Sequence, residues 1–437
     1  MLNRLFQLPA HGTTVRREVI GGLTTFASMA SVLAVVPALL GQAGMDRSAL
    51  VTAVALSGAL MTVVMALATN YPIVLGTGTG VAAFFAYNVC GTLGIPWRAG
   101  LGLVFYGGVL FLLLSVSGVR RKLVEAIPRE LKLAIPCGIG LFITLIGLRN
   151  GGIVRSSAGT LVTLGDVASP ACALVLAGVV LTAVLIWWRV RGAILVSVLV
   201  LSVAGLFIPD GAGGTVTRMP HALAGWPASL RPLFLQLDLG YLWSHWRQGA
   251  TVVLALLFID LFDNMGTLIG VCSRAGLLDA QGQLPKMKQA FMADACGAMV
   301  AALMGTSTVT SYIESATGVE AGGRTGLTAV TAAGALLAAL VLSPVILAIP
   351  AAATAPALII MGAFMLQGIA ALDLSDLGKT IPAFATIVMM PFSFSIIEGI
   401  GAGLVIYVGF MLGTARGRQV PILTYVLAGL FVARHFA

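Results

Sequence analysis

Apolar runs of about 20 residues, the length that crosses the hydrocarbon core of a bilayer as a helix, follow one another from about Val19 to Phe410 with short polar breaks between them. The pattern predicts spans at 17–40, 48–69, 72–91, 98–118, 131–148, 168–188 and 192–209, then at 248–270, 288–305, 306–321, 324–342, 349–371, 379–394 and 396–413. This is an all-α polytopic membrane protein of about 14 transmembrane helices. Seven fall on either side of Pro209 to about Arg247, a polar stretch whose Gly211 to Gly214, Pro220, Pro227 and Pro232 read as the single long connection. A last apolar run, Pro421 to Phe436, is short enough either to span or to lie in the interface.

Two of the spans are poor continuous helices. The third opens Pro72-Ile73-Val74-Leu75-Gly76-Thr77-Gly78-Thr79-Gly80, and the tenth opens Thr306-Ser307-Thr308-Val309-Thr310-Ser311-Tyr312-Ile313-Glu314. Glycine alternation in the first, and β-branched and hydroxyl residues in the second, favour an extended piece before a half-helix. Because seven is odd, the second half enters the membrane from the opposite side, so residues 1–230 and 231–437 form an inverted repeat. Arg98-Ala99-Gly100-Leu101 with Gly108 recurs as Arg324-Thr325-Gly326-Leu327 with Gly334, a constant offset of 226 residues (98 to 324). Repeats of this kind place a substrate near the bilayer midplane, where the broken helices meet.

Composition sharpens the class. Apolar residues make up 59% of the chain and charged ones 9%, too little polar surface for a water-soluble fold. The 53 glycines and 18 prolines suit close packing and broken helices in a membrane, where neighbouring helices re-satisfy freed backbone groups. The net charge of +9 sits at helix ends, without the basic runs interleaved with aromatics that nucleic acid requires. One set of alternate connections holds Arg4, Arg16, Arg17, Arg120, Arg121, Lys122, Arg129, Lys132, Arg189, Arg191, Arg274, Lys286, Lys288, Arg324, Lys379, Arg416 and Arg418. The opposite set is poorer, so the N-terminus is expected in the cytoplasm of a cell with an inner membrane. The five cysteines, none in C-x-x-C spacing, read as buried apolar residues.

Ionisable groups at the centre of a spanning helix cost about 2.5–3.5 kcal/mol each, so they mark function by default. Asp260, Asp263 and Thr267 share one face of the eighth helix by their spacings of three and four. Glu314 follows the extended run that contains Thr310. Phe84 and Phe85, like Phe26 in Thr24-Thr25-Phe26, are either packing or stacking platforms for a planar ligand. Asp294 and Arg274 are read as solvated or paired groups at helix ends, Arg324 as a packing and topology residue, and Glu398 as a capping or gating acid. There is no H-E-x-x-H, no phosphate loop and no complete G-x-G-x-x-G. Neither a metal nor a cofactor is called for, and any pumping must use an ion gradient. An intramembrane aspartyl protease would need aspartates on facing helices in Y-D and G-x-G-D contexts, and these are missing. A facilitator or exchanger of another small planar or anionic solute stays open as an alternative to symport.

Asp260-Leu261-Phe262-Asp263 with Gly266-Thr267, Tyr312-Ile313-Glu314-Ser315 with Gly318-Val319, and Ala321-Gly322-Gly323-Arg324-Thr325-Gly326-Leu327-Thr328 closely resemble the AzgA-like purine permeases, a branch of the nucleobase/cation symporter and nucleobase/ascorbate transporter group. Further matches, from Gly22-Leu23-Thr24-Thr25-Phe26 to Ile387-Val388-Met389-Met390-Pro391, extend the resemblance over essentially the whole chain. It implies a core domain from 17–118 and 248–342 and a gate domain from 131–209 and 349–413, with the substrate between them against the short strands of helices 3 and 10. It also implies a purine nucleobase as partner, a proton as coupling ion, and by analogy of fold a possible homodimer within the lipid bilayer. Asp260 and Glu314 would be the main polar contacts, and Glu314, Asp263 and Asp260 the candidates for proton coupling. Thr25, Phe26, Thr77, Thr79, Phe84, Thr267 and Thr310 complete the expected site. Where the third helix of the family reads A-P-G-M-G-L-N-A-F-F, this chain has Ala82 in place of the asparagine, with Thr77 or Thr79 as partial substitutes.

Overall fold

The computed structural model describes residues 5–117, 127–157, 159–210, 213–279, 284–373 and 375–436. Arg4 and the Arg120-Arg121-Lys122 cluster, used above for orientation, lie outside them, as does Gly211.

The first half runs α1 (Val15–Met29), α2 (Val32–Gly41), α3 (Arg47–Thr69), β1 (Leu75–Thr77), α4 (Thr79–Ala83) continued by a π-helical stretch Phe84–Thr92, α5 (Trp97–Ser117), α6 (Arg129–Asn150), a hairpin of β2 (Val154–Ser157) and β3 (Leu161–Leu164), α7 (Pro170–Trp187) and α8 (Ala193–Ala204). The second runs α9 (Tyr241–Ser244), α10 (Trp246–Arg274), α11 (Met287–Met304), β4 (Val309–Ser311), α12 (Ser315–Glu320), α13 (Gly326–Ala339), α14 (Ser343–Ala348), α15 (Ala351–Met365), α16 (Leu377–Phe392), α17 (Ile396–Gly413) and α18 (Ile422–Phe436). Among the described residues nine helices are long and apolar enough to cross a membrane. Those two numbers, nine and fourteen, differ because segments 3 and 10 are broken, segments 7 and 13 are short, and α11 carries Lys288 and Asp294.

Helix ends are set where the sequence supplies caps. Asp46 accepts from Ala49 N at 2.8 Å at the start of α3, and Asn70 ends that helix in the left-handed conformation. Gly305 does the same for α11. The expectation of a single long connection is corrected by the β2–β3 hairpin between α6 and α7. There Val154 pairs with Leu164 and Ser157 with Leu161, so a stretch too polar to span folds on itself outside the helices. After a short turn α18, shorter than a spanning helix, packs along α17 with the ring of Phe431 seated on Gly401.

Contacts sort the helices into two groups. In one, α1 and α3 pack on α13, α3 and α5 on α11, and α5 on α10. In the other, α6 packs on α15 and α16, α15 on α7 and α8, and α16 on α17. The architecture is a seven-plus-seven inverted repeat with core and gate domains, and its two halves meet where β1 and β4 pair antiparallel: Leu75 with Ser311, Gly76 with Thr310, Thr77 with Val309. Gly78 N donating to Thr308 O and Tyr312 N donating to Val74 O extend the ladder at both ends. The glycine alternation has a steric cause here. A Cβ on Gly78 would sit 2.9 Å from Thr310 Cγ2, and one on Gly76 3.0 Å from the Tyr312 ring.

Candidate functional site

A two-stranded sheet at membrane depth has two open edges, and each unsatisfied backbone group there would cost several kcal/mol. Side chains close both. On the β1 edge Thr62 Oγ1 both accepts from Leu75 N (2.8 Å) and donates to Leu75 O (3.0 Å), and Ser315 Oγ accepts from Val74 N (3.0 Å). On the β4 edge Asn264 Oδ1 accepts from Ser311 N (3.0 Å), while Asn264 Nδ2 donates to Asp294, which also takes the Ser311 hydroxyl at 3.2 Å. Asp294 is thus neither solvated nor at a helix end: it is 1% exposed and anchors the strand. Arg274 is paired at the surface, with Glu320 at 3.1 Å.

Beside the strands lies a cavity of about 260 Å³ between the two helix groups. The core contributes Gly78 to Val81, Phe262, Asp263, Gly266, Thr267 and Thr310 to Glu314; the gate contributes Pro136, Ile139 and Ile143 from α6 and Met361, Phe364 and Met365 from α15. Its walls are mostly apolar, and its polar groups converge at one end. Asp263 Oδ2 accepts from Thr310 Oγ1 at 3.4 Å. Glu314, at the turn from β4 into α12, lines the same cavity; among the described residues no side chain donates to its carboxylate, while the Thr317 hydroxyl donates to its backbone carbonyl at 2.7 Å. Ile313, 61% exposed, also lines the cavity.

Of the residues expected from sequence, Thr79, Thr267, Thr310, Asp263 and Glu314 line this cavity, and Asp260, Thr25, Phe26, Thr77, Ala82 and Phe84 do not. Asp260 is one helical turn away from Asp263 but turned behind the strands, 3% exposed, with the Thr308 hydroxyl beside it and no hydrogen-bond partner for its Oδ1 among the described residues. Thr77 is buried against Thr306, at 3.2 Å between hydroxyls. Ala82 and Phe84 are fully buried. Thr25 is buried where α1 crosses α12, close to Gly318, and Phe26 packs against the core. The gate residues of α6 and α15 went unnoticed in the sequence because they are ordinary apolar side chains. Only the packing of the two groups brings them to the site.

A second buried acid was also overlooked. Glu18, 0% exposed, accepts from Arg324 N (2.9 Å), Thr325 N and Oγ1 (3.1 and 2.8 Å) and Thr328 N and Oγ1 (3.2 and 2.6 Å). It occupies the N-terminus of α13, where a carboxylate is favoured by the free N–H groups and the helix dipole.

The arrangement, a cavity at crossed broken helices between two helix groups, is that of a transporter. A sequence model described as the Permease family, of the xanthine/uracil type, matches residues 16–401. The chain belongs to this family. The permease is 39% identical to adenine permease AdeP of Escherichia coli over 99% of its own length and 96% of that protein. It is 38% identical to guanine/hypoxanthine permease PbuG of Bacillus subtilis over 99% and 98%. Among solved structures it is similar to the transmembrane domain of a cyanobacterial bicarbonate transporter, BicA, with a TM-score of 0.67 over 89% of this chain and 97% of that one. At 14% identity that likeness speaks for the fold alone. The permease is a multi-pass membrane protein and a transporter, not an enzyme.

Proposed function

We propose that the permease takes up purine nucleobases, hypoxanthine, guanine or adenine, together with protons across the cytoplasmic membrane, by exposing one cavity to the two sides in turn, with its N-terminus in the cytoplasm. The observation that carries this reading is the pair Asp263 and Glu314 at the joint of the two broken helices, inside an otherwise apolar cavity. At about 260 Å³ it lies just below the range of about 300–1,000 Å³ usual for ligand pockets, which suits a small bicyclic ring. A purine has N–H donors along its edge that carboxylates accept, and apolar faces that Phe262, Ile139 and Met361 can cover. A carboxylate at membrane depth is costly to keep charged and unpartnered. A substrate donor and a proton both relieve that cost, which links the binding of one to the other. The two bacterial relatives, an adenine permease and a guanine/hypoxanthine permease, support the same cargo class. Asp260, behind the strands, then acts on the cavity indirectly.

The test is uptake of labelled hypoxanthine, guanine and adenine into cells lacking purine permeases, for the native chain and Glu314→Gln, with and without a protonophore. Saturable uptake that the protonophore abolishes is expected, with a fall of at least about tenfold in Glu314→Gln, the loss of one charge-assisted hydrogen bond. Protonophore-insensitive uptake would identify a facilitator, and no uptake by protein present in the membrane would overturn the purine reading.

A further inference from the structure

The two helix groups are tied together on the face away from the cavity. There the middle of the π-helical stretch, the end of α6 and the turn between α16 and α17 meet. Asn88 Nδ2, from the core, donates to the carbonyl of Phe394 in the gate at 2.7 Å. The neighbouring Tyr87 hydroxyl donates to Asn150 Oδ1 at 3.0 Å. The Phe394 ring packs edge-on against Tyr87, centroids 6.2 Å apart, and against Phe142 at 5.2 Å.

Three features mark this as more than packing. Phe394 has φ of 53°, the left-handed region that a bulky side chain seldom adopts, so the turn is held in a costly shape by what it touches. Asn88 is 1% exposed and uses only its donor: Oδ1 is buried with no partner among the described residues. An apolar residue would sit there at less cost, unless the amide is needed for a contact that is made and broken. The π-helical stretch itself replaces a regular helix at the point where two consecutive residues, Tyr87 and Asn88, must both reach the gate.

The cavity lies toward the opposite face. Pro136, Ile139 and Ile143 are in the part of α6 that precedes its Asn150 end, and Gly266 and Thr267 are in the last third of α10, far from the Trp246 end. We propose that Asn88, Tyr87 and Phe394 form a latch that seals the cavity from this face in the state described and opens when the cavity turns toward it. The inference rests on the alternating-access reading above.

Labelling tests it without a substrate. In a chain whose five cysteines are replaced by alanine, Ile313→Cys places one thiol on the exposed cavity wall. A membrane-impermeant methanethiosulfonate reagent is then applied to either face of sealed vesicles of known orientation. With the latch intact, labelling from the cavity-mouth face is expected to be the faster. Asn88→Ala should speed labelling from the latch face about fivefold, the ratio corresponding to one net hydrogen bond of about 1 kcal/mol, and Phe394→Ala, which keeps the accepting carbonyl but removes the ring packed on Tyr87 and Phe142, should speed it as well. Tyr87→Phe, which removes one hydroxyl and keeps the ring, should shift it in the same direction and decides the matter if the larger changes misfold. Latch-face labelling unchanged in all three, with mouth-face labelling intact, would overturn the latch. A labelling shift in a protein that takes up no nucleobase would sink the proposed cargo and leave the latch standing. Normal uptake without a shift would do the reverse.

Discussion

Replacing Asn264 by alanine should unfasten β4 from the core. Asn264 is 0% exposed, and its two amide atoms serve two buried partners: the Ser311 N–H, at 3.0 Å, and the Asp294 carboxylate. Alanine leaves a buried N–H without an acceptor, a cost of about 1–3 kcal/mol, and removes a bond to a charged group worth about 1.5–3 kcal/mol. Together these give a destabilisation of about 2.5–6 kcal/mol, large for a single substitution. The assay is unfolding of the purified protein in a mild detergent, beside Thr251→Ala, which loses only an exposed bond to Arg247 O (2.8 Å) and should stay within about 0.5 kcal/mol of the native protein. Ser311→Ala removes the hydroxyl that Asp294 also holds, at 3.2 Å, and the double substitution should depart from additivity by about 0.5–3 kcal/mol because the three residues form one network. An Asn264→Ala protein no less stable than the Thr251→Ala control would refute the argument that side chains close this sheet edge.

Two further expectations follow from neighbouring geometry. Gly78→Ala places a methyl 2.9 Å from Thr310 Cγ2 and should cost about 1–3 kcal/mol by overpacking; Thr310→Ser, which deletes that Cγ2, should restore most of the stability and uptake, and a Gly78→Ala protein indistinguishable from native would show that the strands need no such close approach. At the α15–α16 connection the Ser375 hydroxyl, and after it the Lys379 ammonium, hydrogen-bond to Asp373 and hold its carboxyl at about 2 rather than 3.8. A lowered folded value means that this contribution is present above the unfolded value and fades as pH falls toward about 2. Asp373→Asn should therefore flatten the acid limb of stability against pH between about 4 and 2, and superimposable limbs would show that the contacts contribute nothing.

The sequence by itself determined what depends on one chain segment meeting its surroundings. Fourteen apolar runs of bilayer length are a property of local composition, and so are the breaks at Gly76 to Gly80 and at Thr306 to Glu314. Both segments fail as helices before any neighbour is considered, and the structure turns each into a strand followed by a half-helix. The family, too, was legible, because its motifs are contiguous runs.

What tertiary structure alone decided is which side of a segment faces what. Asp260 and Asp263 lie three residues apart on one helical face, and spacing could not say that one enters the cavity while the other turns behind the strands. That depends on where β4 crosses α10. Asp294 reads from sequence as a charge near a helix end and Glu18 carries no signal of its own, yet each is a buried anchor because an unpaired strand edge or a bare helix N-terminus from a distant part of the chain rests against it. The apolar gate residues Ile139, Ile143 and Met361 carry no chemical signal at all. Their role exists only because two separately folded helix groups close around one space, and no periodicity within a single helix records what stands on the other side of that space.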